Sequence, residues 1–448
     1  MEEQTVAVLG NDEEADAGTL TRADVTHNVK VLVFLDAIFC TGSSDLGIVI
    51  GPLYVWLGMS NTLIGIITGA TIFGLLGVLV SPWISRHFPI KKIYMLAAHV
   101  PYLLPWLISG LALIFADRLG LSRGQLTYVI CGLAIATTFL GGFVTLPHQE
   151  YVAACIPMSH RGRYTGYSLT IGGVSAVCSM ALGGLILNAV KKPYAFGWLY
   201  VICWVFCQGG YLLSLLGREQ RTPVEKSPKA WSKEMFKAFW NDKPFLRFMV
   251  VFVLFNICVN PMVGFYAIYG FRELKMVAAA SAVLGIVATL ARSVISAPAG
   301  HLVDRRGAKM VYAFSPLLAI PPALAILLVK DGFGIHGLGV YIALGLTSLG
   351  GAATYSSFTA LAYGLPKAEN RSGHFTFQIL ISYLATAVGP ILVGWALDNV
   401  LPAKMLIAGK HFSNYTLLFG IQVILCIIVT PIAWYLLKDL SDKPEDYA

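Results

Sequence analysis

The chain has 448 residues, of which 56% are hydrophobic and 12% charged, about half the charged share of a soluble globular domain. A mean hydropathy of +0.70, spread from end to end, excludes both an ordinary soluble protein and a soluble domain on one anchor, and the continuous apolar runs exclude a transmembrane β-barrel. The net charge of +8 is then a topology signal carried by loops, not a nucleic-acid footprint.

Residues 1–29 open with Glu2, Glu3, Asp12, Glu13, Glu14 and Asp16, the reverse of a basic secretory leader, and read as a polar tail. Twelve apolar spans follow, at 31–57, 61–84, 93–116, 125–154, 164–190, 195–217, 246–270, 277–301, 311–329, 336–363, 375–400 and 414–437. An even number places both termini on one side. The loops after spans 2, 4, 6, 8 and 10 carry roughly twice the Lys and Arg of the opposite loops, so that side is expected to be cytoplasmic, in a cell membrane. The expected organisation is a tail (1–29), a six-helix bundle (30–217), a linker (218–244), a second six-helix bundle (245–438) and a short tail (439–448).

Within the linker, Ser227-Pro228 forms a cap and first-turn pair ahead of Trp231, Met235, Phe236, Phe239 and Trp240 on one helical arc beside Lys229, Lys233 and Lys237. This pattern predicts an amphipathic helix on the inner membrane surface. The eight cysteines lie in or beside apolar runs with no CxxC pair, and read as small packing residues.

The halves repeat. Gly300 to Lys309 after span 8 matches Ser81 to Arg86 with Lys91-Lys92 after span 2, and Thr359 to Pro366 with Arg371 and Gly373 matches Glu150 to Pro157 with Arg161-Gly162. The run Gly300-x-x-x-Asp304-Arg305-x-Gly307-x-Lys309 resembles the loop signature of the major facilitator superfamily. That resemblance implies an all-α fold of two pseudo-symmetric six-helix bundles, with spans 1, 4, 7 and 10 lining a central cavity. It also implies a cytoplasmic gate built from Arg161, Gly300, Asp304, Arg305, Gly307 and Lys309. In the first copy Ser85 stands where the acid would be. The run Pro157 to Arg163 looks like the span 4/5 loop of sugar porters, but Ala154 replaces their acid, and the glycine-proline signature of drug antiporters is missing from span 5.

A charge in the bilayer core costs ~2.5 to 3.5 kcal/mol, so Asp36, Asp45, Glu150 and Arg292 each need a reason to be there. Arg292 is 12 residues before Asp304, hence ~18 Å deep at ~1.5 Å per residue, and either bridges helices or binds an anionic group. Asp36 and Asp45 lie half a turn apart on a straight helix, a restriction that a bend at Thr41-Gly42-Ser43-Ser44 would relax; one of them is expected to serve substrate or proton. Glu150 is either a proton carrier or a gate residue held by Arg161 or Arg163. Asn256, Asn260, Tyr266, Tyr355, Ser356, Gln378 and Tyr383 are candidate cavity groups, and Pro261, Pro298 and Pro390 candidate hinges.

These features predict a proton-coupled secondary transporter, a symporter of a small polar or anionic organic solute, working by alternating access as a monomer in the lipid bilayer. A facilitator or exporter of lipophilic cations, favoured by the surplus of acids, and a non-transporting receptor stand as alternatives. No HExxH or phosphate-binding GxxxxGK[ST] is present, so no enzyme, cofactor or metal is expected.

Overall fold

The computed structural model describes residues 20–85, 87–219, 233–329, 331–366, 371–407 and 410–440. Among them, eleven helices are long and apolar enough to cross a membrane. The helix Ala280–Arg306 completes the expected twelve, its apolar stretch running only from Ala280 to Ser296 before a basic end at Arg305 and Arg306. Span 1 (Arg22–Trp56) packs on span 5 (Met158–Ala189) and span 6 (Tyr194–Leu216), and span 3 (Lys91–Ile114) on spans 4 and 6. In the second half, span 8 (Ala280–Arg306) packs on span 10 (Leu338–Gly364) and span 9 (Ala308–Leu328) on spans 10 and 12 (Asn414–Leu437). The halves meet where span 2 (Asn61–Ser85) crosses span 11 (Arg371–Asn399) and span 5 crosses span 8.

Two seams depend on small residues. Gly65 and Gly69 of span 2 are one turn apart, and an added Cβ at either would overlap the carbonyl of Pro390 or Ala387 on span 11; this is the close approach that small-xxx-small spacing permits. Gly184 meets the Ala282 methyl between spans 5 and 8.

Several boundaries differ from the sequence reading. Span 1 starts at Arg22, not near residue 30, because Thr21 and Asp24 form a capping box. The buried Asn28 then donates to the carbonyls of Cys155 (2.9 Å) and Arg218 (2.6 Å), fixing that extension to the bundle. The expected bend at Thr41 to Ser44 is absent from this continuous helix: the Thr41 and Ser44 hydroxyls return to the Ala37 and Cys40 carbonyls, and Gly42 makes room for span 6, where an added Cβ would lie 2.6 Å from the Cys203 carbonyl. Span 4 is interrupted between Arg123–Gly141 and Thr145–Cys155. Of the three hinge prolines, Pro261 alone adjoins a break, between Lys243–Cys258 and Asn260–Arg272 of span 7; Pro298 and Pro390 lie inside continuous helices.

Of the linker, Ser227-Pro228 and Trp231 fall outside the described residues, and the helix runs Lys233–Asn241. Part of its aromatic face docks on protein. Phe239 is buried, stacked on Phe377 of span 11 at 4.4 Å and edge-on to Phe245 of span 7, while Trp240 is left exposed.

Candidate functional site

Arg292 is the one predicted interior charge whose direction follows from its own helix. The exposed, lipid-side stripe of span 8 contains Val283, Leu290 and Val294. At about 100° per residue, Arg292 points about 180° from that stripe. It aligns with Gly285, which faces Ile48 and Met180 of the other half. Arg292 is nonetheless exposed, so the space between the halves is open at its level. Among the described residues no ion pair engages it.

Spans 8 and 10 run in the same direction, with Val287 against Gly345 and Ile295 in one cluster with Ala352 and Ala353. That register sets Arg292 level with Gly350 and Gly351. Both glycines line a cavity of about 420 Å³ inside the second half. Its walls are aromatic (Phe252, Phe255, Tyr312, Tyr355, Phe358), with Asn256, Asn260, Thr347 and Gln378 as polar points and no charged residue. Asn256 donates to the Phe252 carbonyl at 2.9 Å and accepts from Asn260 at 3.3 Å. The Gln378 Oε1 and Thr347 Oγ1 atoms are buried without a partner among the described residues.

Four of the seven predicted cavity residues, Asn256, Asn260, Tyr355 and Gln378, are thus on the wall. Tyr266 is not: it is fully buried in the second bundle, with its hydroxyl 2.8 Å from Gln422 Oε1, because it falls on the face of span 7 that packs on span 12. Ser356 is absent from this lining, and Tyr383 faces span 2, where an added Cβ at Gly74 would lie 3.0 Å from its ring. The aromatic wall was missed, although Phe252, Phe255, Val259 and Val263 recur at helical spacing around Asn256.

Of the acids of the first half, Asp36 and Glu150 have protein partners, and Asp45 Oδ1 is buried without one among the described residues. Tyr164 donates to Asp36 at 2.6 Å and Ser168 donates to the same oxygen. Asp45, 3% exposed, lies against Gly183 of span 5. Glu150 accepts from Ser85 and pairs with Lys91 of span 3 at 3.2 Å. The Arg161 and Arg163 side chains lie outside the described ones, and the observed cation was overlooked because it lies far away in sequence. Glu219 caps the same corner, accepting from the Lys91 and Lys92 amides at 2.9 and 3.2 Å. Burial pushes its carboxyl above the usual carboxylate range against those hydrogen bonds.

The signature loop behaves as a tie inside one half. Gly307, with φ +85°, separates spans 8 and 9. Lys309 donates to the Lys438 and Leu440 carbonyls at 3.3 and 2.6 Å, a cation at the end of span 12. Gly300 and Arg305 lie on the last turns of span 8; the Arg161 and Asp304 side chains are outside the described ones. Among the described residues, the hydrogen bonds that join the two halves lie at the opposite end. Arg272 of span 7 donates to Asn61 Oδ1 at 2.5 Å, to the Met59 carbonyl and, within its own half, to Tyr415 at 3.2 Å. Asp398 of span 11 accepts from Asn61 Nδ2 at 2.8 Å and from the Thr62 amide and hydroxyl, both at 2.7 Å, at the start of span 2.

The family model of the Major Facilitator Superfamily matches residues 32–297 and 272–447. The multidrug resistance protein MdtG of Serratia proteamaculans (strain 568) is 28% identical over 192 residues, 41% of this chain; the match spans just under half of that protein, 46%. Among solved structures, a D-xylose-proton symporter superposes with a TM-score of 0.69 at 12% identity, covering 94% of this chain and 99% of that one. A bacterial homolog of the human lysosomal transporter Spinster, inward-facing and unoccupied, gives 0.65 at 16% identity, covering 95% and 99%. The nucleoside transporter NupG gives 0.59 at 14%, covering 93% and 98%. At these identities the likeness is one of fold.

Proposed function

The chain belongs to the major facilitator superfamily, as a secondary-type transporter, and from that premise we propose that it moves a small organic anion by proton-coupled alternating access. The carrying observation is Arg292, directed to the interior, exposed, and unpaired among the described residues. A mid-membrane cation is costly without a counter-charge, and a cargo carboxylate or phosphate supplies one through the planar guanidinium fork. The adjoining wall narrows the cargo further: aromatic side chains accommodate an apolar body, and the unmet Gln378 and Thr347 oxygens accept from its hydroxyl or amide groups. The basic end is taken as cytoplasmic and the membrane as the cell membrane, by the distribution of loop charges.

The acid surplus that favoured a cationic cargo is smaller than sequence arithmetic gave, since Lys91 answers Glu150. Export of lipophilic cations remains as a second reading, supported by the MdtG likeness and the aromatic wall. Proteoliposomes offered radiolabelled aryl and aliphatic carboxylates, or size-matched aryl ammonium compounds, separate the two. The proposal expects uptake of a carboxylate, accelerated by a proton gradient, with Arg292→Gln weakening apparent affinity at least about tenfold, as loss of a charge-assisted contact of about 1.5 to 3 kcal/mol requires. Transport of the ammonium compounds alone, or Arg292→Gln at wild-type affinity, contradicts it.

A further inference from the structure

Two histidines inside the first half have ring nitrogens that nothing satisfies. His99 of span 3 is fully buried, with Nδ1 2.7 Å from the Met95 carbonyl one turn earlier. A carbonyl only accepts, so Nδ1 carries the hydrogen and Nε2 is left as a lone pair. That Nε2 is buried and without a partner among the described residues, and so is Nδ1 of His148 on span 4. The two rings are 6.3 Å apart, and Tyr211 of span 6 lies against both, at 3.4 and 6.2 Å. Two such nitrogens on neighbouring rings bring two free lone pairs or donors together at one buried place.

The surroundings select the ligand. Asp36 of span 1 lies one turn before Phe39, whose ring packs edge-on at 5.2 Å against the same Tyr211 that touches both histidines, so it is the carboxylate on the side of span 1 that meets the pair. Its own donors, Tyr164 and Ser168 of span 5, are neutral. The other titratable groups around the pair are Tyr102 of span 3, Tyr211 and Cys207 of span 6 and, facing Tyr102, Tyr383 of span 11. Glu150 lies two residues beyond His148 and Lys91 eight before His99, but these two are spent on each other and on Ser85. The pair therefore sets two bases beside one carboxylate, with no cation committed to them among the described residues. A metal ion would ask for more ligands, and no group of three His, Cys, Asp or Glu able to hold one is found among the described residues.

Resting on the proton coupling proposed above, we propose that His99 and His148 form the proton-binding site of this transporter, with Asp36 as its counter-charge. One proton taken from water adds to an imidazole lone pair and converts it to imidazolium; the reverse step returns it to water. The binding energy comes from attraction to Asp36 and from meeting an orphaned nitrogen, and the bilayer-like surroundings oppose it. Coupling then assigns the proton to the first half and the solute anion to Arg292 and the second half.

The proton is itself the ligand, so pH is the probe and no solute has to be identified. Full-length protein labelled with 15N-histidine is titrated by NMR between about pH 4.5 and 8.5, with resonances assigned from their loss in His99→Gln and His148→Gln. The glutamine at 99 keeps a donor for the Met95 carbonyl. At least one of the two rings should titrate, with a midpoint that moves by about half a pH unit or more when its neighbour is replaced, and falls in Asp36→Asn. If His99→Gln does not fold, His148→Gln and Asp36→Asn carry the same comparison on the His99 signal. Both rings staying neutral across the range, or midpoints indifferent to neighbour and to Asp36, overturns the proposal. A titrating pair in a protein without proton-driven uptake defeats the transport reading and leaves the proton site standing; proton-driven uptake with neutral rings does the reverse.

Discussion

The two ends of the molecule are tied in different ways. At the end away from the termini, Arg272 and Asp398 of the second half reach Met59, Asn61 and Thr62 of the first. At the basic end, Lys91 with Glu150, Asp24 with Arg218, and Lys309 with the Lys438 and Leu440 carbonyls each join residues of one half. A bond within a half makes that half rigid, and a bond between halves selects one arrangement of two rigid bodies. Rocking transport needs both kinds, with the second kind breakable. The open level at Arg292 and the closed far end are two consequences of this one difference.

The largest effect should come from Arg272→Ala. It removes charge-assisted bonds across the seam, about 1.5 to 3 kcal/mol, which shifts the balance toward an open far end by roughly tenfold or more. A cysteine at Gly51, which faces Phe271 of the other half, introduced after replacing the eight native cysteines, should react with a polar maleimide correspondingly faster. Lys91→Met should act differently, because it breaks a bond inside one half and leaves a part-buried Glu150 alone. Thermal unfolding should report a loss of about 1 to 3 kcal/mol, largely restored by adding Glu150→Gln, while labelling at position 51 stays unchanged. An opened far end in Lys91→Met would erase the distinction between the two kinds of tie.

The smallest effect is a pH dependence outside the membrane. His336, on the hairpin Asp331–His336, sits 2.5 Å from the Leu274 carbonyl and 2.8 Å from Asp331. Both neighbours accept, so the carbonyl bond and then the Asp331 charge hold its pKa above the ordinary 6.5. A raised folded value means that the stabilisation is fully present below about pH 6.5 and is lost as pH rises through the folded value. The protection factors of the hairpin amides in hydrogen exchange, which remove the intrinsic pH dependence of the rate, should fall over that window in wild type and not in His336→Gln.

Fold and site were not equally legible in sequence. Continuous apolar runs, loop charge and the repeat around Gly300 to Lys309 report local hydropathy and topology, which the order of residues encodes directly, and they led to twelve spans in two halves. Four cavity residues were found because polar groups on an apolar helix stand out. Pairing was not legible: Glu150 finds Lys91, Arg272 finds Asn61, and Asp45 finds the space left by Gly183, each across a long sequence separation set only by packing. Tyr266 was misplaced because a tyrosine in a span looks the same whether it faces a cavity or Gln422. The His99 and His148 nitrogens stand out only once the Met95 bond fixes a tautomer.

The central claim is that the far end is closed by the Arg272 and Asp398 ties, whereas among the described residues no such tie joins the halves at the basic end. Distance measurements by double electron–electron resonance test it most directly, with spin labels at Gly58 and Lys275 on the far-end loops of the two halves, in the cysteine-replaced background. The account predicts one short, narrow distance distribution in the unliganded wild type and a second, longer population in Arg272→Ala. A broad or long distribution in the wild type, or a distribution unmoved by Arg272→Ala, contradicts it.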